Sequence, residues 1–471
     1  MNSGLNNLSI TSAAKKLAAK EISAVDIARA CLTEIEKRNP SLNAYLEVFD
    51  DVEAQAKAAD ARRAQGEKNT LLGIPMAMKD NILIEGRKVS AASKILQGYT
   101  ASYDATVVRK LKEAGGIFLG RTNLDEFAMG GSTENSAFSV TKNPHDERRV
   151  AGGSSGGSAA ALSAGMALGA FGTDTGGSVR EPSSFCGLVG LKPTYGGVSR
   201  FGVIALGSSL DQVGPFARSV ADVEILFNTL RGQDPLDSTS IDLGAYPQKK
   251  LTKKLGVPRK LFEKGVDADV LESFNASLKK LEGQGYTLVD VEIPGAALAL
   301  AVYYIIMPAE ASTNLARYDG VRWGVRHEGK TLFEDYAKTR GEGFGPEVRR
   351  RIMLGTYVLS SGYYDAYYGK ATEARAQLSR EVGAALEKCD AIISPTAPCP
   401  ATKIGEKSDP LSMYLMDIFT VTANLTGNPA ISIPGNPVSR EGKELPVGVH
   451  LTAAHGNEST LFAIGRDLEA K

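Results

Sequence analysis

Histidine is nearly missing from this chain, with 4 in 471 residues, alongside a single tryptophan and 4 cysteines. So few histidines leave little room for a Ser–His relay or a histidine-rich metal centre, and acid–base chemistry must fall to other side chains. Cys31, Cys186, Cys389 and Cys399 show no C-x-x-C spacing and no Cys/His cluster. That argues against a zinc site or a disulfide framework and predicts reduced, buried thiols in a cytoplasmic protein. Charge of one sign is also lacking: 54 Lys and Arg balance 54 Asp and Glu. The chain therefore has no basic excess of the kind that holding a long nucleic acid requires. No run of about 18 consecutive apolar residues occurs, which predicts no membrane span, and MNSGLNNLSI lacks the basic-then-apolar pattern of a signal peptide.

Glycine is in excess, at 50 residues, and 20 of these fall between Gly115 and Gly207. The remaining composition, 43% apolar and 23% charged, is that of a globular protein. Helix and strand signals alternate along the whole length. Ser23 is placed to cap a helix reaching about Arg38, with Val25, Ile27, Ala28, Cys31, Leu32 and Ile35 on one stripe. Residues 51–64 and 104–114 read as helices, and 71–81 and 117–123 as strands. Later, 253–258, 286–294, 391–396, 430–434 and 447–454 read as strands, while 267–283, 346–388 and 458–470 read as helices. This alternation predicts an α/β fold with one large, mixed, mostly parallel β-sheet covered by helices on both faces. No linker, low-complexity stretch or repeat interrupts it, so a single domain over 1–471 is expected.

Three short motifs fail on context. G-x-x-x-x-G-K-T at Gly324 to Thr331 matches a phosphate loop, but Arg317, Asp319 and Arg322 stand where an apolar strand should precede it. S-x-x-K occurs at Ser12–Lys15 and Ser139–Lys142 without the S-D-N and K-T-G elements that would give it meaning. G-x-S-x-G at Gly152 to Gly156 follows His145 to Val150, a charged segment read as a loop rather than the strand a nucleophile elbow needs.

A more economical reading takes the glycine-rich zone 151–187 as one device. It holds two serine-bearing clusters, GGSSGGS and DTGGS. Consecutive glycines leave backbone N–H groups free to converge on an anion, including the oxyanion formed when serine attacks an acyl carbon. Serine needs a base at pH 7, and a buried lysine can be one because burial lowers its pKa. Lys79, at the end of the apolar strand Ile74–Met78, is the candidate. The spacing alone leaves open that the glycines only make turns and that Lys79 is a surface charge.

GGSSGGS…GTDTGGSVR and GIPMAMKDN together resemble the amidase signature family, in the right order and at the right separation. The resemblance implies that Ser178 is the acyl nucleophile. Ser154 would be a bridging serine behind a cis peptide bond after Gly153, and Lys79 the base acting through it. The amides of Thr175, Gly176, Gly177 and Ser178 would form the oxyanion hole. The catalytic core would lie at about 70–215.

Within the family, 123–138, 191–215, 310–322 and 349–368 resemble the branch that serves bacterial aspartyl/glutamyl-tRNA amidotransferases, a likeness running from about residue 10 to 470. That branch hydrolyses glutamine and passes ammonia to a partner that amidates mischarged tRNA. It implies subunits B and C as partners, no cofactor or metal in this chain, and ATP and Mg2+ used by the partner. A glutamine pocket is expected in a helical region at about 295–425, with Arg351 for the α-carboxylate, Asp417 for the α-ammonium and Tyr303 beside them. A stand-alone amidase acting on another small amide would share Lys79, Ser154 and Ser178 without needing Arg351 and Asp417.

Overall fold

The computed structural model describes residues 4–407 and 409–470. Its centre is a mixed sheet of eleven strands. In chain order these are β1 (Tyr45–Val48), β2 (Pro75–Lys79), β3 (Ile117–Thr122), β4 (Gly169–Asp174), β5 (Val189–Lys192), β6 (Gln212–Ala217), β7 (Lys254–Val257), β8 (Thr287–Asp290), β9 (Ala391–Pro395), β10 (Ala430–Pro434) and β11 (Gly448–Ala453). Across the sheet they lie β1-β3-β2-β4-β6-β5-β10-β11-β9-β7-β8. The pairings β2–β3, β2–β4, β7–β9 and β7–β8 are parallel. Antiparallel β6, β5, β10 and β11 join these two wings.

Local signals explain many of the elements. Ser23 and Asp26 form a reciprocal capping box at the start of Ala24–Leu42, satisfying amides that the first turn would otherwise leave unpaired. β2, β4 and β9 are buried along their whole length, and so are built from continuous apolar or small residues rather than alternating ones. The helix Gly156–Ser163 is also buried, apart from its final serine. A Cβ on Gly157 would stand 2.4 Å from the Asn123 carbonyl oxygen, and one on Gly156 would stand 2.2 Å from Thr133 Oγ1. Its small residues are what let its backbone come this close to its neighbours.

Two expectations change, and one helix bears on a third. The segment before Gly152 is not a loop: Asp146–Val150 pairs with Lys142–Asn143 as a separate hairpin. Arg148 and Arg149 both pair with Asp146, and Arg148 also with Glu441, so most of the charges that made it read as loop are paired. The stretch 346–388 is not one helix. Pro346–Val358 and Lys370–Lys388 are separated at 359–364, where Gly362 takes φ 85°. Finally, Ala296–Arg317 is long and apolar enough by composition to cross a bilayer, but half of its most apolar window is buried. The helical part of this segment, Ala296–Asn314, packs against those same two helices.

The consequence for the site is geometric. Because β2 and β4 are parallel neighbours, their C-terminal ends lie side by side, the usual place for ligands in such sheets. One ends in Lys79 and the other runs into Thr175–Ser178. Gly172 of β4 faces the same spot: a Cβ there would sit 2.5 Å from Ser155 Oγ and 2.9 Å from Phe216 Cε2. Gly172→Ala is therefore expected to lower stability by about 1–3 kcal/mol through overpacking, read as a lower midpoint in denaturant.

Candidate active site

Lys79 is fully buried. Its Nζ stands 2.8 Å from Ser154 Oγ, 2.8 Å from Ser155 Oγ and 2.9 Å from Thr173 Oγ1. Ser155 gives its own proton to the Thr173 carbonyl at 3.2 Å, so toward Lys79 it accepts. Thr173 Oγ1 accepts from Lys79 and also from Asn81 Nδ2 at 3.0 Å. A neutral amine has two protons and one lone pair. With both protons taken by Ser155 and Thr173, the lone pair is left for the Ser154 hydroxyl. Burial lowers the Lys79 pKa to about 7 against the opposing pull of Asp125, Asp174 and Asp211, so the neutral form is accessible near neutrality.

Ser154 follows a cis peptide bond at Gly153. Asp125 braces this turn. Its amide donates to the Ser154 carbonyl at 3.2 Å, and its carboxylate accepts the amides of Thr133 at 2.8 Å and Asn135 at 3.1 Å. Ser178 sits in the facing loop at 7% exposure, and its Oγ makes no hydrogen bond among the described residues. Its carbonyl accepts the Ser155 amide at 3.2 Å, which ties the two serine clusters together.

The loop carrying Ser178 is held from outside. Arg180 and Asp174, both fully buried, form a two-pronged pair at 3.0 and 2.8 Å across its ends. Burial acts to raise the Asp174 pKa, but the Arg180 guanidinium outweighs it and holds the carboxyl well below its ordinary value. Thr175 Oγ1 donates to Asp211 at 2.7 Å, and Thr420 Oγ1 donates to the Gly176 carbonyl at 2.6 Å. Among the described residues, the amides of Thr175, Gly176, Gly177 and Ser178 donate to nothing. Anchored side chains and carbonyls around free amides make a preorganised anion nest. Gly177 must be glycine: its φ is 146°, and a Cβ would lie 2.3 Å from Thr420 Oγ1.

Tyr303 and Asp417 reach the same loop. A Cβ on Gly176 would stand 2.7 Å from the Tyr303 hydroxyl, and one on Gly177 would stand 3.2 Å from Asp417 Oδ1. The Asp417 carboxylate makes no hydrogen bond among the described residues. Burial raises its pKa to about 7, and Arg351 opposes the rise. Arg351 is buried, and its guanidinium carbon lies 4.8 Å from the ring centres of both Tyr304 and Tyr414. Its Nε donates to Glu347 Oε1 at 2.6 Å, so Glu347 occupies one arm of the fork and Nη2 remains free among the described residues. A cavity of about 240 Å3 opens here, lined by Arg351, Arg350, Glu347, Tyr414 and Ser132.

The other motifs are accounted for elsewhere. Thr331 caps the helix Leu332–Gly343 by accepting the Glu334 amide, and the element leading toward Gly324 is the helical turn Leu315–Arg317 rather than a strand. His450 is buried, with its Nε2 2.8 Å from Arg180 Nη1, and burial and that charge hold its pKa well below the ordinary value. His145, His327 and His455 bond to groups away from the serines. Among the described residues no cluster of three or more His, Cys, Asp or Glu is set to hold a metal ion. Sequence reasoning missed Ser155, Thr173, Asp125, Arg180, Thr420 and Glu347. Ser155, Thr173 and Arg180 lay inside the two serine–glycine motifs and Asp125 inside 123–138, whereas Thr420 and Glu347 lay in none.

A serine presented beside free amides, with a deprotonatable lysine behind a second serine, defines a serine-type amide hydrolase. The chain belongs to the amidase family, whose model matches residues 26–462. It is 51% identical over 474 residues to the A subunit of glutamyl-tRNA(Gln) amidotransferase of Desulfatibacillum aliphaticivorans, covering 99% of this chain and 97% of that protein. The crystal structure of the glutamyl-tRNA(Gln) amidotransferase A subunit from Thermotoga maritima matches with TM-score 0.80 at 41% identity, over 99% of this chain and 95% of that one. A chain from a vestigial protein complex connected with the origins of an s-triazine catabolic enzyme matches at TM-score 0.84 and 31% identity, over 98% of each.

Two outcomes are expected. Amide hydrolysis rises as the pH passes upward through about 7, because Lys79 must be neutral to accept a proton, and a pH–rate profile reads this directly. Lys79→Arg abolishes acyl-enzyme formation, since arginine keeps its proton at any working pH.

Proposed function

We propose that this chain is the glutaminase subunit of a tRNA-dependent amidotransferase, hydrolysing glutamine and delivering ammonia to a partner subunit. The supporting observation is the Lys79–Ser154 contact at 2.8 Å beside four free amides, with Asp417 bordering the nucleophile loop and the opposite charge of Arg351 acting on Asp417. Free glutamine carries an α-carboxylate and an α-ammonium, and the pocket offers a cation and an anion to match. The relatives, named as A subunits of an amidotransferase, supply the context of a larger complex.

In this reading Ser178 Oγ attacks the side-chain amide carbon of glutamine. The Ser178 proton passes to Ser154 as the Ser154 proton passes to Lys79 Nζ. The oxyanion rests on the amides of Thr175 to Ser178, and losing one such donor typically costs about 3 kcal/mol in the transition state. Collapse breaks the C–N bond, and the returned proton leaves with ammonia. Water then attacks the acyl-enzyme by the same relay and releases glutamate. Arg351 Nη2 and Asp417 hold the two ends of the amino acid, with Tyr303 closing the side. Subunits B and C hold the mischarged tRNA, Glu-tRNA(Gln) or Asp-tRNA(Asn), and use ATP and Mg2+ to activate it. The zero net charge fits a chain that leaves tRNA to its partner.

Ser178→Ala separates the readings. In the complex, amidation from glutamine is lost while amidation from added ammonia survives, because the substituted site only generates the nitrogen. A scaffold would lose neither. Asp417→Asn raises KM for glutamine far more than for an amide lacking the α-ammonium. Robust partner-independent turnover of an apolar amide, indifferent to Arg351 and Asp417, would instead identify a stand-alone amidase.

A further inference from the structure

Glu181 lies in the first turn of the helix Arg180–Cys186 and is fully buried. Its Oε2 accepts the amide of Gly153 at 2.8 Å, the residue directly before Ser154. The serine loop lies flush on this carboxyl: a Cβ on Gly152 would stand 2.7 Å from Pro182 Cα and 2.9 Å from Glu181 Oε2. The other oxygen, Oε1, is buried and has no partner among the described residues.

Among the described residues no cation pairs with the group. Arg180 is adjacent in sequence, but its guanidinium is spent on Asp174, Asn424, the Thr420 carbonyl and His450. The groups facing Glu181 are acids: Asp417 from the turn Leu415–Asp417, Asp125 from the loop after β3 and Asp174 from the end of β4. The thiols Cys186 and Cys399 also lie near enough to feel its charge. A carboxylate there would be an unpartnered charge among carboxylates, far costlier than a neutral carboxyl with one idle oxygen.

We propose that Glu181 is a positioning residue for the Ser154 loop and works as a neutral acid, its proton on Oε1 and its Oε2 clamping the Gly153 amide. This rests on the reading of Ser154 as the relay. Burial, with Asp417 next, pushes the Glu181 pKa well above its ordinary value, so the competent form outlasts that of an ordinary glutamic acid and is lost as the pH rises through the raised value. Ionisation would set the clamp against Asp417 and Asp125 and displace the loop that carries Ser154.

The test compares wild type, Glu181→Gln and Glu181→Ala as full chains in their complex, with glutamine as substrate across pH. Glutamine at 181 mimics the neutral acid and keeps an acceptor for Gly153. Glu181→Gln is expected to hold kcat within about threefold of wild type at neutral pH and to lack the alkaline loss that wild type shows. Glu181→Ala leaves the Gly153 amide unsatisfied, and kcat falls about tenfold or more with KM changing less. The inference is overturned if Glu181→Gln is as impaired as Glu181→Ala, or if its alkaline limb coincides with that of wild type. An infrared difference spectrum provides a readout free of activity. It is recorded well above pH 7, so that Asp125 and Asp417, raised by burial to about 6 and about 7, are mostly ionised. A protonated-carboxyl band present in wild type and missing from Glu181→Gln supports the inference, and its absence from wild type overturns it. Should no form hydrolyse glutamine, the proposed function fails while the band still decides the state of Glu181.

Discussion

The buried pair of Asp174 and Arg180 is the constraint on which the rest of this site depends. Its two members flank the five residues Thr175–Val179, and both have no exposed surface. Such a pair survives in the interior only when its remaining hydrogen-bonding positions are filled. Here Asn424, the Thr420 carbonyl and His450 fill them, and these belong to a short helix, the turn before it and β11. One ion pair thus fixes the nucleophile loop and attaches it to the segment that carries Asp417. The loop amides stay free because the loop's other anchors work through side chains and carbonyls: Thr175 on Asp211, Thr420 on Gly176.

Lys79 shows the same economy. Its protons are accounted for by hydroxyls that already have other bonds, so its lone pair has one direction left, toward Ser154. Desolvation lowers its affinity for a proton, and the neighbouring carboxylates keep that affinity from falling too far. Asp125 and Asp417 are raised by burial to about 6 and about 7, so the pocket gathers several groups whose charge changes near neutrality. Perturbed titrations of this kind concentrate where proton transfer takes place. A histidine is unnecessary in such an arrangement, which gives the near-absence of histidine a physical sense.

Legibility in the sequence varied with the range of the interaction. The helix from Ser23 and the strand 75–79 were readable because capping and apolar runs are local signals. Strands β5 and β6 were not, since glycines and prolines in them mask a strand pattern, and they hold their place by pairing with distant strands. The motifs of 151–187 and 71–81 pointed to Lys79, Ser154 and Ser178. Glu347, 4 residues from Arg351, was unremarkable as a helix glutamate until the structure turned it onto the guanidinium. Thr173 and Asp125 lay inside motifs, yet their roles were not legible there because each matters only through what lies opposite.

By itself, the sequence determined the α/β class, the family likeness and which residue types could do acid–base work, because composition, periodicity and motif are properties of neighbouring residues. The tertiary structure decided which hydroxyls surround Lys79, which amides remain free, and that Tyr303 and Asp417 border the same loop from more than 120 residues away. Those facts depend on strand order and on backbones meeting at glycine, which no local signal encodes. They also include the burial that makes a lysine a base and leaves one oxygen of Glu181 idle.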